Sequence, residues 1–366
     1  MRLLHIRLPY RAPSLYPPYA LASRLQDHLR RSLLDLKDNR PGSKPYTPTL
    51  ISFTPLPTYT LGRRQTSPLS DAEAARLSFP VQFPHGSLSS SSSSSSSQVG
   101  QTHENDGSET AIKLPVSILH SPRGGLTTYH GPGQVVLWPI LDLVSSQHNK
   151  YTVRCYTRLL EKTTIATVLK TFGLKAFTTE DPGVWVRSGA SWSPGSSAAA
   201  EEEGCALSGT EQQEGTSETG PLAKIAALGV HLRRHVSGLG TAINVDMPGP
   251  EVTSEAVNPW ARFVACGLEG KTVTSIRGEL DKSSQAQAED YEGKLTPPAV
   301  ADQWAATLAR NIGVEEVQTV GEEEVVRLLE ELVSGKVTTG NNEQEKVTEE
   351  ERKFVKLVRE MLQKDR

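Results

Sequence analysis

The sequence predicts an α/β (α+β) fold, because segments with helical periodicity and segments with strand composition alternate along the chain. Three observations carry this expectation. Leu21, Leu25, Leu29, Leu33 and Leu34 recur at three- and four-residue spacing; Val135-Val136-Leu137-Trp138-Pro139-Ile140-Leu141 is apolar on both faces; and Tyr151–Phe172 has a helical pattern followed by Gly173.

Taken in order, the leucine stripe predicts a helix from about Tyr19 to Lys37, and its apolar face reads as core packing. A loop bearing Pro and Gly at 40–48 precedes Thr49–Phe53, a strand by its β-branched and apolar content, which leads into Tyr59-Thr60-Leu61-Gly62-Arg63. From Pro84 to about Glu109, around the serine run Ser89–Ser97, the composition has too little apolar surface to repay the entropy of ordering, so a disordered insertion is expected. Leu114–His120 is a short strand candidate and Val135–Leu141 a buried one. After the helix 151–172, Val184-Trp185-Val186 and Ile225–Val230 form the arms of an expected hairpin. Its tip is expanded by the Ser-, Gly-, Ala- and Glu-rich tract Ser188–Ala223. Loop closure entropy grows only logarithmically, so such a lengthening costs on the order of 1 kcal/mol. A helix near Ala299–Asn311 follows, and two charged helical tracts, Glu322–Leu332 and Glu349–Gln363, are expected to form a peripheral appendage.

The organisation expected is therefore a candidate mitochondrial import segment at 1–18, a catalytic domain at 19–315 with insertions at about 84–109 and 188–223, and a charged helical extension at 316–366. The import expectation rests on Arg2, Arg7, Arg11 and Arg24, with no acid before Asp27. Pro9, Pro13, Pro17 and Pro18 would interrupt an amphipathic helix there. The 39 basic and 42 acidic residues leave a net charge of −3, without the basic footprint of a nucleic-acid binder. No apolar run is long enough for a membrane span, so neither nucleic acid nor membrane is an expected partner, and a monomer is expected. Three cysteines with no CxxC pair give no zinc spacing, and no metal or cofactor is expected.

Candidate chemistry begins at Arg123-Gly124-Gly125-Leu126-Thr127-Thr128-Tyr129-His130-Gly131-Pro132-Gly133-Gln134, where four glycines surround an Arg and a His just before a buried strand. Such a loop can bring bare backbone N–H groups close to a ligand, although a tight structural turn would have the same composition. It matches neither GxGxxG nor the P-loop pattern. Lys224 opens an apolar strand, and Cys266-Gly267 follows Phe263-Val264-Ala265. Taken alone, Cys266 reads equally as a small buried hydrophobe, Lys224 as a strand-end lysine and His130 as a hydrogen-bonding loop anchor. Cys155 falls in a predicted helix and Cys205 in a polar insertion, and neither is assigned a role.

The order of these blocks, Arg123-Gly124-Gly125…Thr128-Tyr129-His130-Gly131-Pro132-Gly133-Gln134, Lys224–Val230, Asn244-Val245-Asp246 and Cys266-Gly267, resembles the signature set of lipoyl(octanoyl) transferases. Tyr59–Arg63 is also similar to a family segment, so the resemblance covers most of residues 15–315 apart from the insertions. It implies a mixed, largely antiparallel sheet with flanking helices, the fold of biotin- and lipoate-protein ligases. It also implies transfer of octanoyl from octanoyl-acyl carrier protein to a lysine of apo lipoyl domains, such as those of the glycine cleavage H protein and 2-oxoacid dehydrogenase E2 subunits, in a mitochondrial setting. By the same resemblance, Cys266 is the acylated nucleophile and Lys224 its partner. Arg123, Gly124, Gly125, Leu126, Thr127, Thr128, Tyr129, His130, Ala227, Leu228 and Gly229 line the acyl site, together with the turn Ser237-Gly238-Leu239-Gly240. This chain has Ala265 where the family usually has Pro, and Leu239 where it usually has His. The latter puts in doubt an imidazole at that turn.

A free thiol is only a few per cent thiolate at pH 7. An ammonium about 4 Å away at an effective dielectric near 20 supplies about 4 kcal/mol of gross attraction, enough to lower its pKa by up to about three units before desolvation opposes it. Acidic protein substrates would suit Arg63, Arg64, Arg233 and Arg234 at the cleft mouth. The competing expectations are an ATP-dependent lipoate- or biotin-type ligase, which needs no nucleophilic cysteine, and a non-catalytic module that only holds an acyl-carrier or lipoyl domain.

Overall fold

The computed structural model describes residues 1–38, 46–83, 111–189, 220–263, 271–283, 291, 293–336 and 346–364. The chain starts with β1 (Arg2–Arg7), α1 (Tyr19–Asp38), β2 (Thr49–Phe53), β3 (Thr58–Leu61), α2 (Asp71–Ser78) and β4 (Val81–Phe83). It continues with β5 (Ile112–Leu114), β6 (Ser117–His120), β7 (Thr128–His130), β8 (Gln134–Ile140), α3 (Val153–Phe172) and β9 (Val184–Arg187). The remainder holds β10 (Leu222–Arg233), β11 (Val236–Asn244), β12 (Thr272–Val273), α4 (Ile276–Lys282), α5 (Pro297–Asn311), β13 (Glu316–Thr319), α6 (Glu322–Val333) and α7 (Glu349–Lys364).

The main sheet has eight strands in the order β12-β10-β11-β8-β2-β1-β13, with β9 also paired to β10. Its centre is antiparallel, through β9/β10, β10/β11, β11/β8 and β8/β2, while β1/β2, β1/β13 and β10/β12 are parallel. This is the mixed α/β sheet that the sequence led us to expect. Successive strand residues point to opposite faces, and β8 shows why its apolar run has no polar side. Val135 and Leu137 enter the cluster under α3 and α5, whereas Val136 and Trp138 enter the one under α1, α6 and α7. On α3, Thr152 caps the start by accepting from Cys155 N–H at 3.1 Å, and Gly173 closes the end at φ 70°. Trp304 of α5 is fully buried against α3 and donates its indole N–H to Thr164 Oγ1 at 3.0 Å, so no polar atom of the ring is left orphaned.

Both ends of the chain contribute to the main sheet and its cores. Residues 2–7 form an inner strand, hydrogen-bonded to β2 on one side and β13 on the other. The C-terminal part is not a peripheral appendage. β13 extends the main sheet, α6 buries Val325, Val326, Leu329 and Leu332, and α7 adds Phe354, Val355 and Val358 to the same cluster as α1. The arms of the expected hairpin do pair, Ala223 with Val186 and Lys224 with Trp185. The serine-rich insertion and most of the expanded tip lie outside the described residues.

A smaller sheet, β6-β3-β7, stands beside the main one. Its β3 ends at Leu61, directly before Gly62, and positions the glycine-rich loop described next.

Candidate active site

The loop Arg123–Thr127 is held by the segment that follows β3. Arg63 N–H donates to Arg123 O at 2.9 Å and Arg64 N–H to Gly125 O at 3.1 Å. Arg123, 7% exposed, turns its guanidinium back into the fold. Nη2 donates to Thr60 O at 2.6 Å and to Thr60 Oγ1 at 2.8 Å; Nη1 donates to Leu126 O at 2.7 Å and Gly124 O at 3.0 Å; Nε donates to Thr60 Oγ1 at 3.3 Å. The donors of a charged fork are thus shared between the loop's own carbonyls and Thr60 of β3, which makes Arg123 the clamp that ties the loop to that strand. Gly124 is exposed, with open space where a side chain would stand, and Gly125 and Leu126 are half-buried. Among the described residues neither Gly124 nor Gly125 N–H donates a backbone hydrogen bond.

Close packing explains Gly62. A Cβ there would lie 2.3 Å from Gly125 O and 2.9 Å from Gly124 O. Backbone oxygens cannot swing away as a flexible side-chain end can, so Gly62→Ala is expected to displace the loop, lowering stability by about 1–3 kcal/mol and activity more than tenfold. Denaturant titration and turnover check this; a wild-type rate at unchanged stability would contradict it.

Lys224 is placed by an irregularity in β10. Ala223, Ile225, Ala226, Leu228, Val230 and Leu232 all pack on the α3 side, so two consecutive residues, Ile225 and Ala226, face the same way. The register with β9 shifts between Lys224 and Ala226, as at a β-bulge. The bulge resets the alternation, and Lys224 therefore shares a face with Ala227, Gly229 and His231. On that face Arg123 crosses Gly229 so closely that a Cβ at Gly229 would sit 2.8 Å from its Cδ. Lys224 is 7% exposed; its Nζ donates to Pro182 O at 3.0 Å and lies 4.6 Å from the Trp185 ring centroid. Lys271 Nζ lies over the same ring at 5.3 Å and pairs with Asp181, whose carboxyl that hydrogen bond holds below its ordinary range. Lys224 is thus a buried lysine and not a strand-end one reaching into water.

Cys266, Gly267 and Ala265 lie outside the described residues. The positions that bracket their segment are described. Phe263 packs on Tyr59 in a cluster with Tyr129 and Trp260, and Lys271 meets Trp185 beside Lys224. Thr274 N–H donates to Lys224 O at 3.0 Å, so the chain leaving that segment runs directly against the Lys224 backbone. Cys155 is disulfide-bonded, with no partner cysteine among the described residues. Cys205 also lies outside them.

The buried half of the expected site is scaffold. Thr127, Thr128, Tyr129 and His130 are all under 9% exposed. The His130 ring stacks on Tyr19 with centroids 5.2 Å apart, and its Nδ1 lies 2.8 Å from Gln134 Oε1. Gln134 Nε2 donates to Asn244 Oδ1 at 2.8 Å, and Asn244 Nδ2 donates to Thr274 O at 2.9 Å. With the amides oriented this way, Gln134 Oε1 accepts, so His130 carries its proton on Nδ1. Burial pushes its pKa down to about 3, which makes it an anchor held neutral at pH 7 and not a base near its working range. The segment Ser237-Gly238-Leu239-Gly240 is not a turn. It lies within β11, where Ser237 Oγ donates to Pro139 O and accepts from Leu141 N–H, both at 2.8 Å. Leu239 occupies the left-handed region at φ 60° and is buried on the α1 side, its N–H donating to Gln26 Oε1 at 3.2 Å. Leu228 packs toward α3, away from Arg123. Of the expected site residues that do not serve as this buried support, Gly124 is exposed, Gly125, Leu126, Ala227 and Gly229 are half-buried, and Lys224 is buried. Trp185, Pro182 and Thr60 join them without having been singled out in the sequence; the signal available was a lone tryptophan alternating with two valines opposite the lysine strand.

His5 is the second buried neutral imidazole, with Nε2 2.8 Å from Ser52 Oγ and a pKa lowered to about 3 by burial and then by Arg7. A histidine whose folded pKa is depressed leaves stability intact above its unfolded value of 6.5, and stability falls as pH drops from there toward the folded value. Between pH 7 and pH 5 each contributes a loss of about 2 kcal/mol, about 4 kcal/mol together. Urea titrations at pH 7 and pH 5 are expected to show this drop and a smaller one in His5→Asn; equal stability at the two pH values would contradict it.

Among the described residues no cluster of three ligating side chains suits a metal, and no helix is long and apolar enough to cross a membrane. Comparison with known proteins gives the family. Residues 99–292 match the family description "lipoyl protein ligase A/B catalytic domain". A Schizosaccharomyces pombe protein named probable octanoyltransferase is 30% identical over 262 residues, covering 71% of this chain and 81% of its own. The octanoyltransferase of Rickettsia felis is 31% identical over 181 residues, covering 47% and 68%. A mitochondrial octanoyl-[acyl-carrier-protein]:protein N-octanoyltransferase of Danio rerio is 32% identical over 169 residues, covering 46% and 55%. Among solved structures, a bipartite lipoate protein ligase of Thermoplasma acidophilum superposes with a TM-score of 0.43 at 12% identity, covering 90% of this chain and 91% of that one. The chain belongs to the lipoyl protein ligase A/B catalytic domain family. It is an enzyme, an acyltransferase.

Proposed function

We propose that the protein transfers octanoyl from octanoyl-acyl carrier protein to a lysine of apo lipoyl domains, through a thioester on Cys266. The observation that carries this reading is the buried Lys224, held by Pro182 O and Trp185 on the β10 face that Arg123 crosses at Gly229, with Thr274 of the Cys266-bearing connection bonded to its backbone.

The Cys266 thiolate attacks the carbonyl carbon of the donor thioester, a new C–S bond forms, and the carrier sulfur leaves. One thioester replaces another, so this step needs positioning more than driving force. Lys224 gives its proton to the leaving carrier thiolate and becomes neutral. The acceptor lysine, as the free amine, then attacks the acyl-enzyme; the C–N bond forms, Cys266 leaves as thiolate, and Lys224 takes the amine's proton, which restores the starting pair. The unused N–H groups of Gly124 and Gly125 are the donors for the oxyanion in each step. The acyl chain needs an apolar slot, which contributes about 0.8 kcal/mol for each buried methylene.

The acceptors are lipoyl domains of the kind found in the glycine cleavage H protein and 2-oxoacid dehydrogenase E2 subunits. A mitochondrial location is part of this reading and is supported by the name of the Danio rerio relative. Reduced protein incubated with octanoyl-carrier protein and an apo lipoyl domain, without ATP, is expected to octanoylate the acceptor lysine. Octanoylation only from free octanoate and ATP would establish a ligase instead, and tight binding without turnover a holding module.

A further inference from the structure

One buried cation has no part in this acyl transfer. Arg30 of α1 is 7% exposed, and its Nε and Nη2 have no hydrogen-bond partner among the described residues. Nη1 lies 3.3 Å from Nδ1 of the half-buried His231 and 3.7 Å from Oδ1 of Asp27. The guanidinium lies against the backbone of Gly238, where a Cβ would come within 2.8 Å of both Cζ and Nε. Nε and Nη2 are the parallel donors of the guanidinium's side-on fork, the arrangement that takes two oxygens of one anion. To leave both unused in the interior is costly, and an anionic ligand would offset that cost.

The surroundings are cationic. Arg63 and Arg233 both act on His231, Arg233 acts on Arg30, and the imidazole is held below its ordinary range by burial and then by these three arginines. The opposing groups are Asp27, largely exposed at the rim, and the Tyr156 phenol. Arg234, expected at the cleft mouth on sequence grounds, is already paired with Asp38 and does not join them.

The position of the cluster identifies the anion. His231 lies on the face of β10 that carries Lys224, Ala227 and Gly229, and at the spacing of strand residues it stands roughly 20 Å from Lys224. We propose that Arg30, with His231, Arg63 and Arg233, binds the phosphate ester of the carrier's pantetheine arm, so that the arm spans the distance from there to a thioester at Lys224. The phosphate takes Nε and Nη2 together, the two donors that have no partner among the described residues, while Nη1 keeps its contact with His231. This assignment rests on the octanoyl-carrier reading above and names how that donor is held.

Kinetics with octanoyl-carrier protein, octanoyl-phosphopantetheine and phosphate-free octanoyl-pantetheine test it. Arg30→Met keeps the packed stem, and Arg63→Gln alters an exposed residue, so at least one of them remains folded. Each is expected to raise KM for the phosphate-bearing donors at least about tenfold, with kcat within about twofold and KM for octanoyl-pantetheine unchanged. Equal effects on all three donors, or none on any, would overturn the assignment. Titration calorimetry with phosphopantetheine separates this assignment from the catalytic reading. Binding by the wild type that weakens at least about tenfold in either variant supports the site whatever the turnover. Absence of wild-type binding removes the site even if octanoyl transfer is robust.

Discussion

Cys266→Ala is expected to lower octanoyl transfer by a factor on the order of 10⁴ or more, because removing the nucleophile of a covalent mechanism leaves only binding and oxyanion stabilisation. The melting temperature should stay near that of the wild type. Reduced protein is the correct substrate for this comparison, since Cys155 is disulfide-bonded and reduction frees every thiol. Cys155→Ser then serves as the control, with expected wild-type turnover. Residual transfer by Cys266→Ala within about tenfold of wild type would place the acyl group elsewhere or dispense with a covalent intermediate.

Lys224→Met is expected to fold and to lose activity by about 10²–10⁴, the range of a positioned proton-transfer group. The methionine keeps the buried stem against Trp185 but removes the charge that Pro182 O and the indole face hold in place. Without it the thiol returns toward its ordinary range, and alkylation of residue 266 at pH 7 should slow at least about tenfold. Lys224→Arg divides the two roles assigned to the ammonium. A guanidinium sustains the thiolate but cannot be deprotonated, so acyl-enzyme should form and then fail to transfer. Unchanged alkylation in Lys224→Met would break the pairing, whatever its turnover.

Much of the fold was legible where a single period dominates. The leucine stripe of α1 and the Gly173 cap of α3 set their helices to within a residue or two, and the two-faced apolar run of β8 marked the central strand. The chain ends were harder to place. The basic, proline-bearing start gave no strand signal, yet Leu3 and Ile6 of β1 face opposite cores and Arg7 pairs with Asp302 at 3.0 Å. The strong charge of α6 and α7 likewise hid a regular apolar stripe at 325, 326, 329 and 332. The hairpin joining β10 and β11 turns through Arg234 and His235, both at positive φ, with no Asn-Gly or Asp-Gly signal, so Ser237–Gly240 passed for a turn.

The sequence grouped the candidate residues without showing how each side chain is held. Sequence spacing grouped Arg123 and His130 with the open glycines, but only the hydrogen bonds to Thr60 and Gln134 show that they shape the loop from behind. No pattern rule gives the bulge at Ile225–Ala226, on which the direction of Lys224 depends. The Arg30 cluster was invisible for another reason, since its parts lie some 200 residues apart and their shared property is an unmet hydrogen-bond capacity.

The account stands most directly on the intact mass of reduced protein after brief exposure to octanoyl-carrier protein, followed by peptide mapping. It predicts the addition of one octanoyl group, located on Cys266, released by neutral hydroxylamine and by apo lipoyl domain, and missing from Cys266→Ala. No adduct during active turnover, or an adduct that persists in Cys266→Ala, would contradict it.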